Sequence, residues 1–367
     1  MHPAWIEINT SQFRNNLRAI RKKIGERRFC LPVKADAYGH GLCEIGKIAE
    51  EERIDILGVA CLQEVVALRK AGIQLPILHF GAICEEQIEA LLDYKVELTI
   101  SSKYKAELVA KKYRQEAPKC KAHIEVDTGM RRTGVKIESV PGLIASMEKL
   151  GCFDLVGIYS HFATADRPND PSALAQIDSF TGLLHGLKAG QWKAHLANSG
   201  GVAYYPDSWL DMVRPGLLAY GYFPNGEKDL EGKIAPCLSL HARVSYFKVV
   251  AEGEGISYGH AYKTKNECRI VTVPIGHGDG YRRSLWNKAS VLIRGRRFPI
   301  AGMICMDQFM VDIGKNEAYV GDQVTLIGIQ ENEEISLWEI SRLADSIPYE
   351  ILTGFGKRLP RIYTARD

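Results

Sequence analysis

One lysine stands out in this sequence because of its neighbours. Lys34 follows a short apolar run at residues 29–33 and lies within Val-Lys-Ala-Asp-Ala-Tyr-Gly-His-Gly at residues 33–41. Burial at the carboxyl end of a strand would lower the pKa of this lysine, because the charged amine loses its hydration. A neutral amine can bond covalently to an aldehyde cofactor. A lone lysine at a strand end more often extends into water, so its neighbours decide between the two interpretations.

Polar side chains also follow four of the later apolar runs in the chain. They are Arg132 after the fifth run, His161 after the sixth, Asn198 and Ser199 after the seventh, and Arg214 after the eighth, where Gly216 adds a backbone position that a ligand can approach closely. The carboxyl ends of parallel strands meet at one mouth of a barrel, so these groups are expected to lie together. Loops after the seventh and eighth strands are the usual phosphate site of such barrels.

The elements that would position these residues alternate between short apolar strands and amphipathic helices. Strands are predicted at residues 29–34, 56–61, 75–80, 96–100, 122–127, 155–160, 193–197 and 212–214, with helices such as 63–71, 85–93, 102–114 and 172–187. Alternation of this kind predicts parallel strands with crossover helices, and eight strands predict a (β/α)₈ barrel of the TIM type. An open doubly wound sheet is the alternative, but residues 35–38 are not the dinucleotide fingerprint that it would need.

The pattern changes near Gly232. From residue 239 onward, β-type runs at 241–250, 269–273, 289–293, 310–313 and 323–327 are separated by glycine-rich turns, with one helix at 336–346. The sequence therefore predicts an α/β protein in two domains: a barrel at residues 9–232 and a smaller, mostly β domain at 233–367. A strand-like run at residues 6–8 precedes the barrel.

Composition excludes several classes of protein. The 47 basic and 44 acidic side chains give a net charge of only +3, which does not indicate a nucleic-acid partner. Nine cysteines without a Cys-x-x-Cys pair indicate free thiols rather than disulfides or a zinc site, and no metal is expected. The sequence shows no signal segment and no apolar stretch that could cross a membrane, so a cytoplasmic location is expected.

The segment around Lys34 is similar to that of the alanine racemases, fold-type III enzymes that use pyridoxal 5'-phosphate (PLP). The resemblance runs from Trp5 to Tyr363 and rests on many motifs in the same order. It implies that Lys34 binds PLP covalently and that the barrel is the PLP-binding domain. The same resemblance implies that residues 1–8 add a strand to the β domain.

The resemblance also implies two catalytic bases. Racemisation needs a proton carrier on each face of a planar carbanion, and Lys34 and Tyr258 match the two family residues. A free tyrosine has a pKa of about 10, so its neighbours must favour the phenolate. In the family the partner subunit supplies this tyrosine, which implies a homodimer with shared active sites.

Further cofactor contacts are implied in the same way. Arg214 matches the arginine that hydrogen-bonds the pyridine nitrogen of PLP, and His161 matches a histidine that contacts the tyrosine and is held by that arginine. An arginine stays charged, so the pyridine nitrogen stays unprotonated and side reactions are suppressed. Residues implied to hold the phosphate are Tyr38, Asn198, Ser199 and Gly216.

The resemblance also implies substrate contacts, and three residues depart from the family pattern. Arg132 and the backbone of Met306 match residues near the substrate carboxylate. Glu125 stands where many members have a carbamylated lysine, and we expect it to position Arg132. His277 stands where members usually have a tyrosine near the substrate entry, and Lys357 stands where some members have a tyrosine that helps to hold the phosphate.

The resemblance implies interconversion of L- and D-alanine, with D-alanine supplied for peptidoglycan. A racemase of broader or different specificity, for serine or lysine, remains an alternative. A decarboxylase would carry a cysteine motif near the carboxyl end that is not seen here, and a PLP-binding regulatory protein would lack the β domain. The Gly-x-Ser-x-Gly pattern at residues 255–259 is typical of serine hydrolases, but no helix is predicted after it.

Overall fold

The structure, a computed structural model, describes residues 3–187, 192–226 and 234–365. The chain divides into two compact units. The barrel unit comprises Phe13–Ala37 and Gly41–Ala235, and the β unit comprises Met1–Gln12, Tyr38–His40 and Pro236–Asp367. The domain boundary predicted between residues 232 and 233 lies outside the described residues.

A parallel sheet of eight strands forms the centre of the barrel unit. Strand β1 (Ala4–Asn9) precedes it along the chain and belongs to the β unit. The barrel strands are β2 (Arg28–Pro32), β3 (Ile56–Val59), β4 (Ile77–His79), β5 (Glu97–Ile100), β6 (Cys120–Asp127), β8 (Phe153–Tyr159), β9 (Lys193–His195) and β10 (Met212–Val213), while the short β7 (Val135–Lys136) pairs with β6. Their order is β10-β2-β3-β4-β5-β6-β8-β9.

Two backbone hydrogen bonds nearly close this sheet into a barrel. The Asp211 amide donates to the Ala194 carbonyl at 3.0 Å, and the Arg214 amide donates to the Ala197 carbonyl at 2.8 Å. Every residue of β3, β4 and β5 is buried, as expected for strands that are covered on both faces. The prediction of a (β/α)₈ barrel is confirmed.

Helix α1 (Thr10–Ile24) precedes the first barrel strand, and the short segment α2 (Lys34–Tyr38) has left-handed backbone angles at residues 35–37. The helices between successive barrel strands are α3 (Leu42–Glu51), α4 (Leu62–Lys70), α5 (Ile88–Asp93), α6 (Lys103–Lys112), α7 (Val140–Leu150), α8 (Pro171–Leu187) and α9 (Ser199–Tyr204). In α1 the buried residues recur every three or four positions, which gives the helix one apolar face toward the core. The buried polar residue of α1, Asn16, donates to the carbonyl oxygen of Ala235 at 2.9 Å.

Within its described residues, the β unit contains three sheets and two α-helices. Its further strands are β11 (Leu238–Arg243), β12 (Tyr246–Val250), β13 (Gly255–Ile256), β14 (Tyr262–Lys263), β15 (Cys268–Val273), β16 (Ser290–Ile293), β17 (Arg296–Pro299), β18 (Phe309–Asp312), β19 (Gln323–Gln330), β20 (Glu333–Ile335) and β21 (Arg361–Thr364). The largest sheet has the order β17-β16-β19-β11-β1-β21, with β20 on β19, so β1 lies between two strands from the other end of the chain. The smaller sheets are β12-β15-β18 and β13-β14.

Two details of the β unit differ from the predicted elements. The run at 241–250 is two strands, because the chain leaves β19 at Val244 and pairs with β15 from Ser245 onward. A second helix, α11 (Pro348–Gly354), follows α10 (Leu337–Leu343). Pro348 begins α11 and keeps Ile347 extended, because the residue before a proline disfavours the helical conformation.

The sequence has no apolar stretch that is expected to cross a membrane, and the length and apolarity of the helices can be compared with this prediction. Within the described ranges, no helix is both long enough and apolar enough to cross a bilayer.

Candidate active site

Lys34 begins an unusual turn directly after the first barrel strand. Ala35, Asp36, Ala37 and Tyr38 all have φ values of 53° or 54°, so the chain makes a left-handed turn with no glycine in it. This conformation costs about 1–2 kcal/mol per residue. Two carboxylates offset the cost: Glu64 accepts a hydrogen bond from the Ala35 amide at 2.6 Å, and Asp36 accepts one from the Leu42 amide at 2.8 Å. The turn therefore fixes Lys34 at the barrel mouth.

The environment of Lys34 favours its neutral form. Burial lowers the pKa of the amine, and the positive charges of Arg132 and Arg214 lower the pKa further. The carboxylate of Glu64 opposes this effect. The charged groups that act on Lys34 thus include Arg132 and Arg214, two arginines that the sequence singled out. A lysine with a lowered pKa is a better nucleophile at neutral pH.

Arg214 is a buried cation whose recorded partners are neutral. Its Nη1 donates to Nδ1 of His195 at 2.6 Å, and its Nη2 donates to the carbonyl oxygens of Ser160 at 2.7 Å and Leu196 at 3.3 Å. The guanidinium carbon lies 5.0 Å from the ring centre of Tyr159. Burial lowers the pKa of Arg214 without removing its charge at neutral pH. No hydrogen bond from Nε is recorded among the described residues, so this donor is available to a ligand.

The histidine bonded to Arg214 differs from the one that the resemblance implied. His161 was expected in that role, but the imidazole that accepts from Arg214 is that of His195. His195 projects from β9 into the barrel and stacks on Tyr159 with ring centres 4.8 Å apart. Sequence reasoning missed His195. The signal was present, since histidines occur in three barrel strands, as His79, His123 and His195.

His161 lies at the end of β8, near the same positive charges. Burial lowers its pKa to about 3, and the charges of Arg214, Arg132 and Lys34 act in the same direction. The backbone carbonyl of His161 accepts a hydrogen bond from the Gln176 amide at 2.9 Å. His161 is therefore a neutral imidazole at pH 7, able to donate or accept a hydrogen bond.

Glu125 is buried, but its recorded partner is not Arg132. Oε1 of Glu125 accepts a hydrogen bond from the hydroxyl of Thr133 at 2.8 Å. Within the described residues, no hydrogen bond or ion pair joins Glu125 to Arg132. The loop after β6 instead brings the side chain of Thr133 to the Glu125 carboxylate. Glu125 fixes the residue next to Arg132.

The loops after β9 and β10 are held by their own polar side chains. Oδ1 of Asn198 accepts from the Gly201 amide at 3.0 Å and caps α9, while Oγ of Ser199 accepts from the Leu218 amide at 3.1 Å. The second bond ties α9 to the segment that follows Gly216. A Cβ on Gly200 would lie 2.1 Å from the Ala165 carbonyl oxygen, so this turn packs too tightly for any larger residue.

The candidate residues of the β unit lie on connected segments. Tyr258 is 68% exposed and Met306 is 59% exposed. Oγ of Ser257, the residue before Tyr258, donates to the Met303 carbonyl at 2.8 Å, and the His277 amide donates to the Cys305 carbonyl at 3.0 Å. The segments of Tyr258, Met306 and His277 are thus joined, with His277 exposed.

The other two candidates of this unit lie elsewhere within it. Tyr38 is buried, with its ring centre 6.0 Å from that of Tyr349. Lys357 is exposed in the turn before β21.

A buried histidine without partners makes the barrel sensitive to acid. His79 is fully buried at the end of β4, and in the described part of the chain neither of its ring nitrogens has a hydrogen-bond partner. Burial lowers its pKa to about 4, and the charge of Lys105 contributes. The unfolded chain, with a histidine pKa of about 6.5, therefore binds the proton first as the pH falls, and folding stability is lost from about pH 6.5 downward.

We expect His79→Leu to reduce this loss. Between pH 7 and pH 5 the wild type should lose about 2 kcal/mol more unfolding free energy than the variant. Urea titrations at both pH values measure the difference. An equal loss in both proteins would show that His79 is protonated in the folded state.

The lysine, the arginines and the loops lie at the carboxyl ends of barrel strands, where the active sites of (β/α)₈-barrel enzymes are found. By fold and site, the protein is an enzyme of this class.

Known proteins share the whole of this architecture. A family model described as "Alanine racemase, N-terminal domain" matches residues 8–224, and one described as "Alanine racemase, C-terminal domain" matches residues 237–363. An alanine racemase of Symbiobacterium thermophilum is 37% identical, over 99% of this chain and 97% of its own. The solved structure of an alanine racemase from Clostridium difficile 630 has a TM-score of 0.92 at 35% identity and covers 99% of this chain and 96% of its own. For the enzyme from D-cycloserine producing Streptomyces lavendulae, the TM-score is 0.94 at 31% identity, covering 99% and 97%.

Similarity of this extent shows the family. The chain belongs to the alanine racemases, which are isomerases.

Proposed function

We propose that this protein is a PLP-dependent racemase that interconverts L- and D-alanine in the cytoplasm and supplies D-alanine for peptidoglycan. The observation that carries the proposal is the pairing of a lysine of lowered pKa with a buried arginine at the mouth of a barrel of this family. A lowered pKa makes the neutral amine, the form that bonds to an aldehyde cofactor, easier to reach. Arg214 is held in place by its hydrogen bonds and can donate a further hydrogen bond to a neutral acceptor atom of a cofactor.

The residues at this mouth fit PLP. Lys34 would hold its aldehyde carbon, and Nε of Arg214 would donate to its pyridine nitrogen. Tyr38, Asn198, Ser199 and Gly216 are proposed for the phosphate and His161 for the surroundings of the ring. The side chains of Asn198 and Ser199 already bond to backbone amides, which supports a role in shaping the phosphate loop. When bound, PLP supplies the electron sink that stabilises the carbanion formed at Cα of alanine.

Lys34 and Tyr258 are proposed as the two catalytic bases. Lys34 would take or return the Cα proton on one face of the substrate, and the hydroxyl of Tyr258 would do so on the other. Arg132 and the backbone amide of Met306 would orient the substrate carboxylate. The high exposure of Tyr258 in the single chain supports a homodimer in which a second subunit covers it.

Assays with three substrates test the proposed function. Purified protein with PLP should convert L-alanine to D-alanine, measured by chiral chromatography, and should act far more slowly on L-serine and L-lysine. Equal rates on all three amino acids would favour the alternative of a broad-specificity racemase. No D-amino acid from any of them would overturn the proposal.

Glu125 is proposed to act on the substrate site through Thr133. Glu125→Gln removes the charge from the acceptor of the Thr133 hydroxyl, and we expect KM for alanine to rise about 5-fold because Arg132 is then less well placed. Thr133→Val should have a similar effect, and the double variant should be no worse than either single one. Added bicarbonate should not change the wild-type rate, because a glutamate at this position, unlike a lysine, does not need to be carbamylated. Additive losses in the double variant would contradict a shared action.

A further inference from the structure

A row of four buried polar side chains crosses the interior of the barrel. Arg214, at the carboxyl end, donates to Nδ1 of His195 at 2.6 Å. Nε2 of His195 lies 2.9 Å from Nδ1 of His123, and Nε2 of His123 lies 2.9 Å from Oε2 of Glu97. Glu97 is the first residue of β5, at the opposite end of the barrel. All four residues are at most 5% exposed.

The donor at one end fixes the proton positions along the whole row. A guanidinium can only donate, so Nδ1 of His195 must accept and its single proton must lie on Nε2. That proton points to Nδ1 of His123, which must accept in turn. The proton of His123 therefore lies on Nε2 and is donated to Glu97. Each hydrogen bond runs in the same direction and ends on a carboxylate.

The electrostatics of the two ends agree with this direction. Burial and the charge of Arg214 lower the pKa of His195 well below its ordinary value, so His195 is neutral. Burial alone would raise the pKa of Glu97, but the hydrogen bond that it accepts from His123 holds this pKa below its ordinary value. An ionised carboxylate thus ends the row.

The barrel makes room for this row at one position. A Cβ on Gly157, in β8, would lie 2.1 Å from Nδ1 of His123. The φ angle of Gly157 is not positive, so its backbone conformation is one that other residues adopt. The atoms nearest to a Cβ at this position all belong to the imidazole of His123, so this ring takes the space of a side chain at residue 157. A glycine inside a strand weakens the strand, and here it leaves the space that the imidazole of His123 occupies.

We propose that Glu97 and His123 are positioning residues for the proposed racemase, which fix the tautomer of His195 and thereby the hydrogen bond that orients Arg214. Without the carboxylate, the proton of His123 can move to Nδ1, where it opposes the proton on His195. His195 then shifts its own proton to Nδ1 and turns an N–H toward Arg214. The guanidinium loses its acceptor and its fixed position. This proposal rests on the proposed function only for the kinetic part of its test.

The first readout is independent of catalysis. In full-length protein labelled with ¹⁵N-histidine, NMR should show His123 and His195 as neutral imidazoles with the proton on Nε2. Glu97→Leu should give a mixture of tautomers at both histidines. Glu97→Gln should preserve the wild-type tautomers, because an amide oxygen still accepts. A wild-type His195 with its proton on Nδ1 would overturn the proposal, and this result requires no variant.

The second readout is kinetic, in the holoenzyme. Glu97→Leu should lower kcat about 10-fold, with KM for alanine changed less than about 2-fold, while Glu97→Gln should recover most of kcat. Glu97 also borders a cavity of about 450 Å³, so a leucine of similar size has room in its place. An unchanged kcat in Glu97→Leu would overturn the proposal.

Thr99→Val is the matched control. Thr99 is buried in the same strand as Glu97, and its hydroxyl pairs with that of Tyr159 at 3.1 Å, outside the row. This variant should keep both tautomers and kcat. An equal fall of kcat in Thr99→Val and Glu97→Leu would show that the row affects kcat only through core packing, and would overturn the proposal. Wild-type protein with the expected tautomers but no racemase activity would refute the proposed function instead.

Discussion

Lys34→Ala should abolish both racemisation and the absorbance band of covalently bound PLP. The amine of Lys34 is the group of lowered pKa at the barrel mouth, and no other nucleophile is assigned to hold the cofactor there. General base catalysis on one face would be lost together with the covalent bond, so the rate should fall by at least about 1,000-fold. Absorbance spectra and alanine assays measure the two effects.

Lys105→Ala is the matched control for Lys34. Burial also lowers the pKa of Lys105, but this lysine lies on α6 and has no assigned role in the site. The Lys105 variant should keep the cofactor band. A Lys34→Ala protein that remains active without an added amine would show that another group does the work of this lysine.

Tyr258→Phe should nearly stop racemisation while PLP stays bound. Only the hydroxyl is lost, and with it the proton carrier of one face, for a loss of about 100- to 10,000-fold. In D₂O, Lys34 should still exchange the Cα proton of one enantiomer. Equal loss of exchange for L- and D-alanine would show that Tyr258 has another role. Tyr262→Phe, which removes the hydroxyl that donates to Asp312 at 2.6 Å, is the control and should remain active.

Mixed dimers test whether the active sites are shared. If Lys34 and Tyr258 of one site come from different subunits, a dimer of Lys34→Ala and Tyr258→Phe chains contains one intact site. Random pairing of equal amounts should then restore about one quarter of the wild-type activity. No recovery in dimers shown to be mixed would place both residues of a site in the same subunit.

The barrel could be predicted from sequence because its strands are buried on both faces. Such strands read as short apolar runs, and the runs at 56–61 and 193–197 correspond to β3 and β9 with the same first residues. The left-handed turn after Lys34 could not be predicted in this way. It depends on the Glu64 carboxylate, which lies 29 residues from the Ala35 amide that it accepts from.

The contacts of the candidate site were harder to predict than its location. The position of Arg214 after the eighth strand was clear from the order of the motifs, but its partner depends on which way each strand histidine points. His195 faces the barrel interior and meets Arg214, whereas the ring of His161 has no recorded bond to it within the described residues. The Thr133 contact of Glu125 likewise depends on how one loop folds.

The most direct test of the central claim follows the Cα proton of alanine. Purified protein is loaded with PLP and incubated with L-alanine in D₂O, and the products are followed by chiral chromatography and proton NMR. We predict equal final amounts of the two enantiomers, with deuterium at Cα of the D-alanine formed. Protein that binds PLP through Lys34 yet yields neither D-alanine nor deuterated L-alanine would contradict the account.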